Sequence, residues 1–288
     1  MEFANLDKVF FPKKGITKGD LLAYYKKISP YLLPFLKDRG EVLHRFPDGI
    51  QGDSFYQKNV DLPNAPTASI RHSGKTIRYL IVQDLESLLY MVNLGCIEVH
   101  PISARVANMN MPDYMVLDLD PVEIGFDKVQ ETALAFYDLL TEVKISGFPK
   151  TSGGNGIHIY VPMEAKYPYE AVKDFAYILC RIIHDKMPQI TSLERDPKKR
   201  RGKIYLDYLQ NRWGASMAAP YSVRPNEEAC VSTPLLWKEL EKDLSPRMFR
   251  IDNILPRIKE KGDIFHPVLE KGISIEKSLK NMQSLKVL

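Results

Sequence analysis

The sequence is short of several things, and each shortage removes a class of protein. No apolar run approaches the ~20 residues that cross a bilayer, so no membrane span is expected. The N-terminus, Met-Glu-Phe-Ala-Asn-Leu-Asp-Lys, lacks the basic-then-apolar pattern of a signal peptide, and the expectation is an intracellular, cytoplasmic protein. Cysteine is scarce and odd in number. Cys96, Cys180 and Cys230 lie far apart in apolar or strand-like surroundings, which predicts reduced packing residues and excludes a disulfide or zinc framework. Excess charge is also small: 40 Lys and Arg against 36 Asp and Glu leave +4, too little to announce a nucleic-acid partner by itself. Repeats and low-complexity linkers are absent, so one domain over residues 1–288 is the economical reading.

What is present centres on Tyr114-Met115-Val116-Leu117-Asp118-Leu119-Asp120-Pro121. Four apolar residues lead into two carboxylates one position apart, and Pro121 is expected to close the strand because it cannot donate to a ladder. Alternation places Asp118 and Asp120 on one face, with Leu117 and Leu119 on the other. Two like charges on one face are tolerable with a cation between them, and oxygen-only donors suit Mg²⁺ or Mn²⁺ better than Zn²⁺. The plain alternative is a pair of solvated strand-end acids.

Around this strand the chain alternates helical and extended patterns. Thr17 and Asp20 have capping-box spacing before a helix from about Lys18 to Ser29. Strands are predicted at Glu41 to Phe46, Ile77 to Val82 and Cys96 to His100, with a helix from Asp84 to Leu94 that stops at Gly95. Between them lies Asp53-Ser54-Phe55-Tyr56-Gln57-Lys58, whose adjacent aromatics would face opposite ways, one inside and one free to stack on a base; core or loop packing of both is the plainer reading. After the central strand, Asp127 and Gln130 are expected to cap a helix carrying Val129, Ala133, Phe136, Tyr137 and Leu140.

Next, Thr151-Ser152-Gly153-Gly154-Asn155-Gly156 reads as a hairpin turn whose backbone N–H groups could cradle phosphate. His158 follows between Ile157 and Ile159, pointing away from the core that they fill. A long helix from Tyr169 to Met187 precedes the basic run Lys198-Lys199-Arg200-Arg201-Gly202-Lys203 and the strand Ile204-Tyr205-Leu206-Asp207-Tyr208-Leu209. Buried without a partner, Asp207 would be costly. A cation shared with Asp118 and Asp120 resolves that cost; so would a salt bridge to Lys203 or Arg212. From Pro234 on, the helices read as a packing tail.

The order Asp-Leu-Asp-Pro, Thr-Ser-Gly-Gly-Asn-Gly-Ile-His-Ile-Tyr-Val-Pro, Tyr-Leu-Asp-Tyr-Leu-Gln-Asn and Ala-Pro-Tyr-Ser-Val-Arg closely resembles the polymerase domain of bacterial ligase D. That family is the primase-polymerase of non-homologous end joining, within the archaeo-eukaryotic primase superfamily. The resemblance implies an α/β primase-polymerase fold: a mainly antiparallel, RNA-recognition-like catalytic sheet flanked by helices. An N-terminal α/β layer spans about 1–100, the catalytic core about 101–235 and a helical tail about 236–288. It implies a metal-binding catalytic triad of Asp118, Asp120 and Asp207 for two Mn²⁺ or Mg²⁺ ions. Ser152, Gly153, Gly154, His158 and Arg224 would take the incoming nucleotide. Lys8 and Lys18 match the lysines that grip a downstream 5′-phosphate, and Phe55, Tyr56 and Lys58 the residues beside the template. Implied partners are gapped or broken DNA, nucleoside triphosphates, and Ku-like and DNA ligase proteins, with a nucleoid-associated location and a preference for ribonucleotides.

Two departures remove positive charge near phosphates. Asn155 stands where relatives often have lysine, and Arg212-Trp213-Gly214-Ala215-Ser216 where they often have Gly-Lys-Thr; Arg212 or the run Lys198 to Lys203 is the expected compensation. Two rivals stand beside this reading. A haloacid-dehalogenase-type phosphatase would use Asp118 as nucleophile, but the motif comes late and lacks the following acidic pair. A non-catalytic DNA-end binding module would leave three strand-borne aspartates unexplained.

Overall fold

A computed structural model describes residues 3–62 and 65–285. The chain forms two compact units whose segments interleave: 1–108, 216–233 and 247–263 build the first, and 109–215, 234–246 and 264–288 the second.

The first unit opens with a small ribbon, β1 (Val9–Phe11) paired with β2 (Ile16–Thr17), that delivers the chain into α1 (Lys18–Leu36). The capping box forms as expected: the Thr17 N–H donates to Asp20 Oδ2 at 2.9 Å and the Asp20 N–H to Thr17 Oγ1 at 3.1 Å. The helix does not stop at Ser29, however, but passes through Pro30 and Pro34. Proline cannot serve the carbonyl four residues back. The Ser29 hydroxyl does so in its place, donating to the Lys26 carbonyl at 2.9 Å. Burial of Leu21, Tyr25, Ile28, Leu32, Phe35 and Leu36 along one face holds the remaining turns to the core.

That core is a five-stranded antiparallel sheet in which β3 (Gly40–Arg45) pairs with β4 (Phe55–Gln57) and β6 (Lys75–Ile81). The hairpin strand β5 (Thr67–His72) extends β6. The helix α2 (Leu85–Asn93), capped by Asp84, ends at Gly95, whose φ of +83° suits glycine. It returns the chain to β7 (Cys96–Pro101), the remaining neighbour of β3. A late helix, Ile254–Lys261, completes the cluster with Ile254 and Ile258.

The second unit is built on β8 (Tyr114–Val122). Leu117 and Leu119 are fully buried, while the side chain of Asp118 is 14% and that of Asp120 55% exposed, which is the alternation expected. The strand does not end at Pro121: Ile204 still lies opposite it, and the Gly202 N–H donates to the Val122 carbonyl at 2.8 Å. There follow α3 (Phe126–Glu142), β9 (Phe148–Thr151), β10 (Ile157–Pro162), α4 (Tyr169–Lys186), β11 (Thr191–Ser192) and β12 (Lys203–Asp207). The sheet order is β11-β12-β8-β10-β9, antiparallel except between β11 and β12. Asp127 does not cap α3; Gly125 holds the N-cap position without a side-chain bond. Both α3 and α4 pack on β8 and on each other. The tail serves packing, as expected: the fully buried Phe265 sets its ring edge-on to Tyr160, 5.3 Å between centroids. The three cysteines are free and buried. Among the described residues no helix is long and apolar enough to cross a membrane.

Candidate functional site

The registers of the second sheet line up four chemistry-bearing residues in one row across four strands. Lys150 on β9 lies opposite His158 on β10, His158 opposite Asp118 on β8, and Asp118 opposite Asp207 on β12. Because opposed residues in an antiparallel sheet share a face, this row brings together two aspartates and the histidine that the sequence had singled out. His158 Nε2 is 3.4 Å from Asp118 Oδ1, and its Nδ1 is 2.9 Å from Lys150 Nζ. His158 is turned from the side filled by Ile157 and Ile159 but is itself buried, and Lys150 is completely buried. Lys150 was not legible as a site residue, since nothing in an extended Phe-Pro-Lys-Thr segment marks its lysine as interior.

The strand does not run on to Leu209: Asp207 ends β12 at a sharp turn, and Leu209–Asn211 forms a short 3-10 helix. Its Oδ1 accepts from the Leu209 N–H at 2.9 Å and its Oδ2 from Gln210 Nε2 at 3.1 Å. The expected salt-bridge alternative does not form with Lys203, whose ammonium donates to the Pro188 carbonyl at 2.8 Å. Where β12 has left β8, the buried Asn211 takes its place: its Oδ1 accepts from the Val116 N–H at 2.8 Å and its Nδ2 donates to the Val116 carbonyl at 2.7 Å. One amide thus stands in for a strand neighbour.

Asp120 lies two residues along β8, opposite Tyr205. From the basic run, Arg200 is the residue that turns inward, its Nη2 3.9 Å from Asp120 Oδ2 and its guanidinium 4.0 Å above the Tyr205 ring. Burial pushes the Asp120 carboxyl up, Arg200 pulls it down, and the charge of Asp207 pushes it up again. Asp207 is likewise raised by burial, against hydrogen bonds from Leu209, Tyr205 and Gln210. The charge of Asp207 is thus felt at Asp120, and the hard oxygens of these carboxylates suit Mg²⁺ or Mn²⁺. In the arrangement described each keeps its own protein partner. Among the described residues no three His, Cys, Asp or Glu side chains converge in a metal cage.

The Gly-rich turn joins β9 to β10 as a hairpin. Ser152 Oγ accepts from the Gly154 and Gly156 N–H groups at 3.0 Å each, so two amides expected to face phosphate are committed to holding the turn. Gly153 has φ +75°, while a Cβ on Gly156 would meet the Leu119 carbonyl oxygen at 2.5 Å. Gly156 is therefore glycine for the sake of β8. Asn155 is exposed at the tip.

The first unit holds the remaining candidates. The Lys18 N–H donates to the Lys8 carbonyl at 2.8 Å, which brings the two lysines together. Lys8 pairs with Asp48, and Lys18 Nζ donates to the Ala4 carbonyl at 2.8 Å. Burial and the charge of Lys8 hold the Lys18 ammonium below the usual lysine range. The start of α1 offers no free amides at Lys18, Gly19 or Asp20, which donate to Lys8, Leu6 and Thr17. A phosphate grip here must rest on the ammonium groups, not on the helix terminus. Phe55 and Tyr56 are 45% and 61% exposed, so neither packs inside. The short edge strand β4 leaves both faces open: Phe55 lies against the Arg45 guanidinium and Tyr56 stacks on His44, 4.0 Å between centroids. Lys58 is exposed.

Arg224 forms an ion pair with Glu98 on β7. The Glu98 carboxylate is 3% exposed and also meets His44 Nδ1 at 2.6 Å and His100 Nε2 at 3.2 Å. Burial opposes its charge, yet His100, His44 and Arg224 together hold its carboxyl well below the usual range. Neither Glu98 nor the two histidines were singled out from the sequence. Their signal was the polar-apolar alternation Glu98-Val99-His100, which sets the acid and the histidine on one face of a strand.

A family model described as "LigD, primase-polymerase domain" matches residues 17–265. The chain belongs to the LigD primase-polymerase family. It is thus a nucleotidyltransferase domain of the polymerase type, which displaces the phosphatase alternative. The bifunctional non-homologous end joining protein LigD of Bacillus subtilis is 34% identical over 91% of the chain, and the multifunctional LigD of Pseudomonas aeruginosa 34% identical over 86%. The chain spans 43% and 30% of those two proteins. Among solved structures, the polymerase domain of Mycobacterium tuberculosis ligase D in complex with DNA matches with a TM-score of 0.87 and 28% identity, over 95% of this chain and 99% of that one. The α/β fold read from the LigD resemblance is borne out.

Proposed function

We propose that this LigD-type domain extends DNA ends or fills short gaps during non-homologous end joining by template-directed nucleotidyl transfer, with a preference for ribonucleotides. The observation that carries the reading is the row Asp207, Asp118, His158 and Lys150 on one face of the catalytic sheet. Asp118, Asp120 and Asp207 would hold two divalent cations, Mn²⁺ or Mg²⁺. When bound, such ions make a primer 3′-hydroxyl a better nucleophile and offset charge on the triphosphate.

The protein's own residues do the rest. His158 presents Nε2 toward the carboxylate face as a donor for a phosphate oxygen, and Ser152 keeps the adjoining turn in shape. Arg200 balances the negative charge of Asp120, supplying from the basic run the compensation that Asn155 cannot. In the first unit, Arg224 offers its guanidinium to a phosphate, Lys8 and Lys18 take a 5′-phosphate, and Phe55, Tyr56 and Lys58 lie along DNA. Exposed rings on an edge strand suit stacking on bases without regard to sequence. Ku-like and ligase partners would supply end capture and sealing.

The test is primer extension on a gapped duplex bearing a 5′-phosphate, with ribo- and deoxynucleotides competing and with Mn²⁺ compared to Mg²⁺. Asp118→Asn is nearly isosteric and should abolish extension while leaving the fold intact. Extension retained by the folded variant would refute the assignment, and preferential deoxynucleotide incorporation would overturn the sugar preference.

A further inference from the structure

Lys150 is completely buried, a rare state for lysine. Its ammonium lies 2.9 Å from His158 Nδ1 and 5.6 Å above the ring of Tyr160. An ammonium can only donate. In this bond Nδ1 is therefore the acceptor and carries no hydrogen, which leaves a neutral imidazole with its single proton on Nε2. A charged imidazolium would need a hydrogen on the nitrogen that faces Lys150, and would set two cations at hydrogen-bond distance. Nε2 lies on the other side of the ring, 3.4 Å from Asp118 Oδ1. The register keeps the three in line, because His158 is paired with Lys150 on one side and with Asp118 on the other.

We infer that Lys150 is a positioning residue whose buried ammonium fixes His158 as the Nε2–H tautomer, aiming a hydrogen-bond donor at the carboxylate face. Its consequence for catalysis rests on the proposed polymerase function, since that donor would meet a triphosphate oxygen. Without Lys150 the ring can carry its proton on either nitrogen, and part of the population presents a lone pair where a phosphate needs a donor.

The experiment is long-range ¹H–¹⁵N spectroscopy of histidine-labelled protein, free of nucleotide, with His158 assigned among the six histidines by His158→Gln. The wild-type ring should show an unprotonated Nδ1 and a protonated Nε2. In Lys150→Met, which keeps the length of the stem and removes the donor, the two tautomers should mix. kcat/KM for nucleotide should then fall on the order of tenfold, as when other outer partners of a site histidine are removed, with DNA affinity unchanged. A wild-type His158 protonated on Nδ1 overturns the proposal whether or not the variant folds. So does a folded Lys150→Met with the wild-type tautomer. The spectrum needs no turnover, so absence of primer extension in the wild type would count against the polymerase reading alone.

Discussion

Replacing Glu98 with glutamine keeps the side chain's shape and removes its charge from the centre of a cluster of three potential cations. Glu98 is 3% exposed, paired with Arg224 and in contact with both His44 and His100. Removing one partner of a fully buried pair costs about 3–5 kcal/mol, because the other charge is left behind. The Arg224 side chain is 26% exposed, so water recovers part of that loss, and we expect about 2–3 kcal/mol for Glu98→Gln. Since Glu98 is held well below the ordinary carboxylate range, the unfolded chain takes up a proton first as pH falls. The stabilisation is therefore complete above the ordinary glutamate value of 4.5 and drains away below it. Urea titrations from pH 7 to pH 3 should show a constant gap between wild type and variant at neutral pH that narrows on acidification. Equal stability at pH 7, or a gap that widens in acid, would refute the reasoning.

The neighbouring strand holds the opposite case. Glu41 is fully buried, and among the described residues neither of its carboxyl oxygens finds a hydrogen-bond partner; burial pushes its pKa well up, despite the charge of Arg39. The folded state then keeps its proton after the unfolded state has lost one, so stability falls as pH rises above 4.5, at a limiting slope of about 1.4 kcal/mol per pH unit. Glu41→Gln should match wild type in urea at pH 4 and exceed it at pH 8; parity at pH 8 would count against the assignment. The double change Lys8→Ala with Lys18→Ala should weaken binding to a 5′-phosphorylated gap and flatten its salt slope by roughly one unit per lost contact. Binding to the same gap with a 5′-hydroxyl should scarcely change, and equal losses on both substrates would reduce the pair to general charge.

What the sequence disclosed was local. The capping box of Thr17 and Asp20, the Gly95 stop, the hairpin between Thr151 and Ile157 and the alternation through Asp118 all depend on residues a few positions apart. Where a long-range partner changes the outcome, local reading failed. Pro30 reads as a helix stop until the Ser29 hydroxyl and a buried face override it. Pro121 reads as a strand end until β12 arrives opposite. Alternation sends one of Phe55 and Tyr56 inward, yet both stay exposed because β4 has little to cover either face. Lys150 and Glu98 are interior charges made tolerable by partners that only the sheet brings near. A lysine or glutamate in a strand pattern reads as a solvated edge until those partners are known.

The interleaving of the two units has a meaning in time as well as in space. The chain crosses between them at 108/109, 215/216, 233/234, 246/247 and 263/264. A ribosome releases residues in order, so the first unit cannot close when its sheet has emerged near residue 101. Its cluster still lacks Ala219, Tyr221, Val223, Ala229 and Val231, and after them Ile254 and Ile258. By then all five strands of the catalytic sheet have been synthesised, and Phe265, which packs on Tyr160 of β10, comes later still. The nascent protein therefore carries an unfinished apolar seam through most of its synthesis, and the last quarter of the chain acts as the closing stitch for both halves.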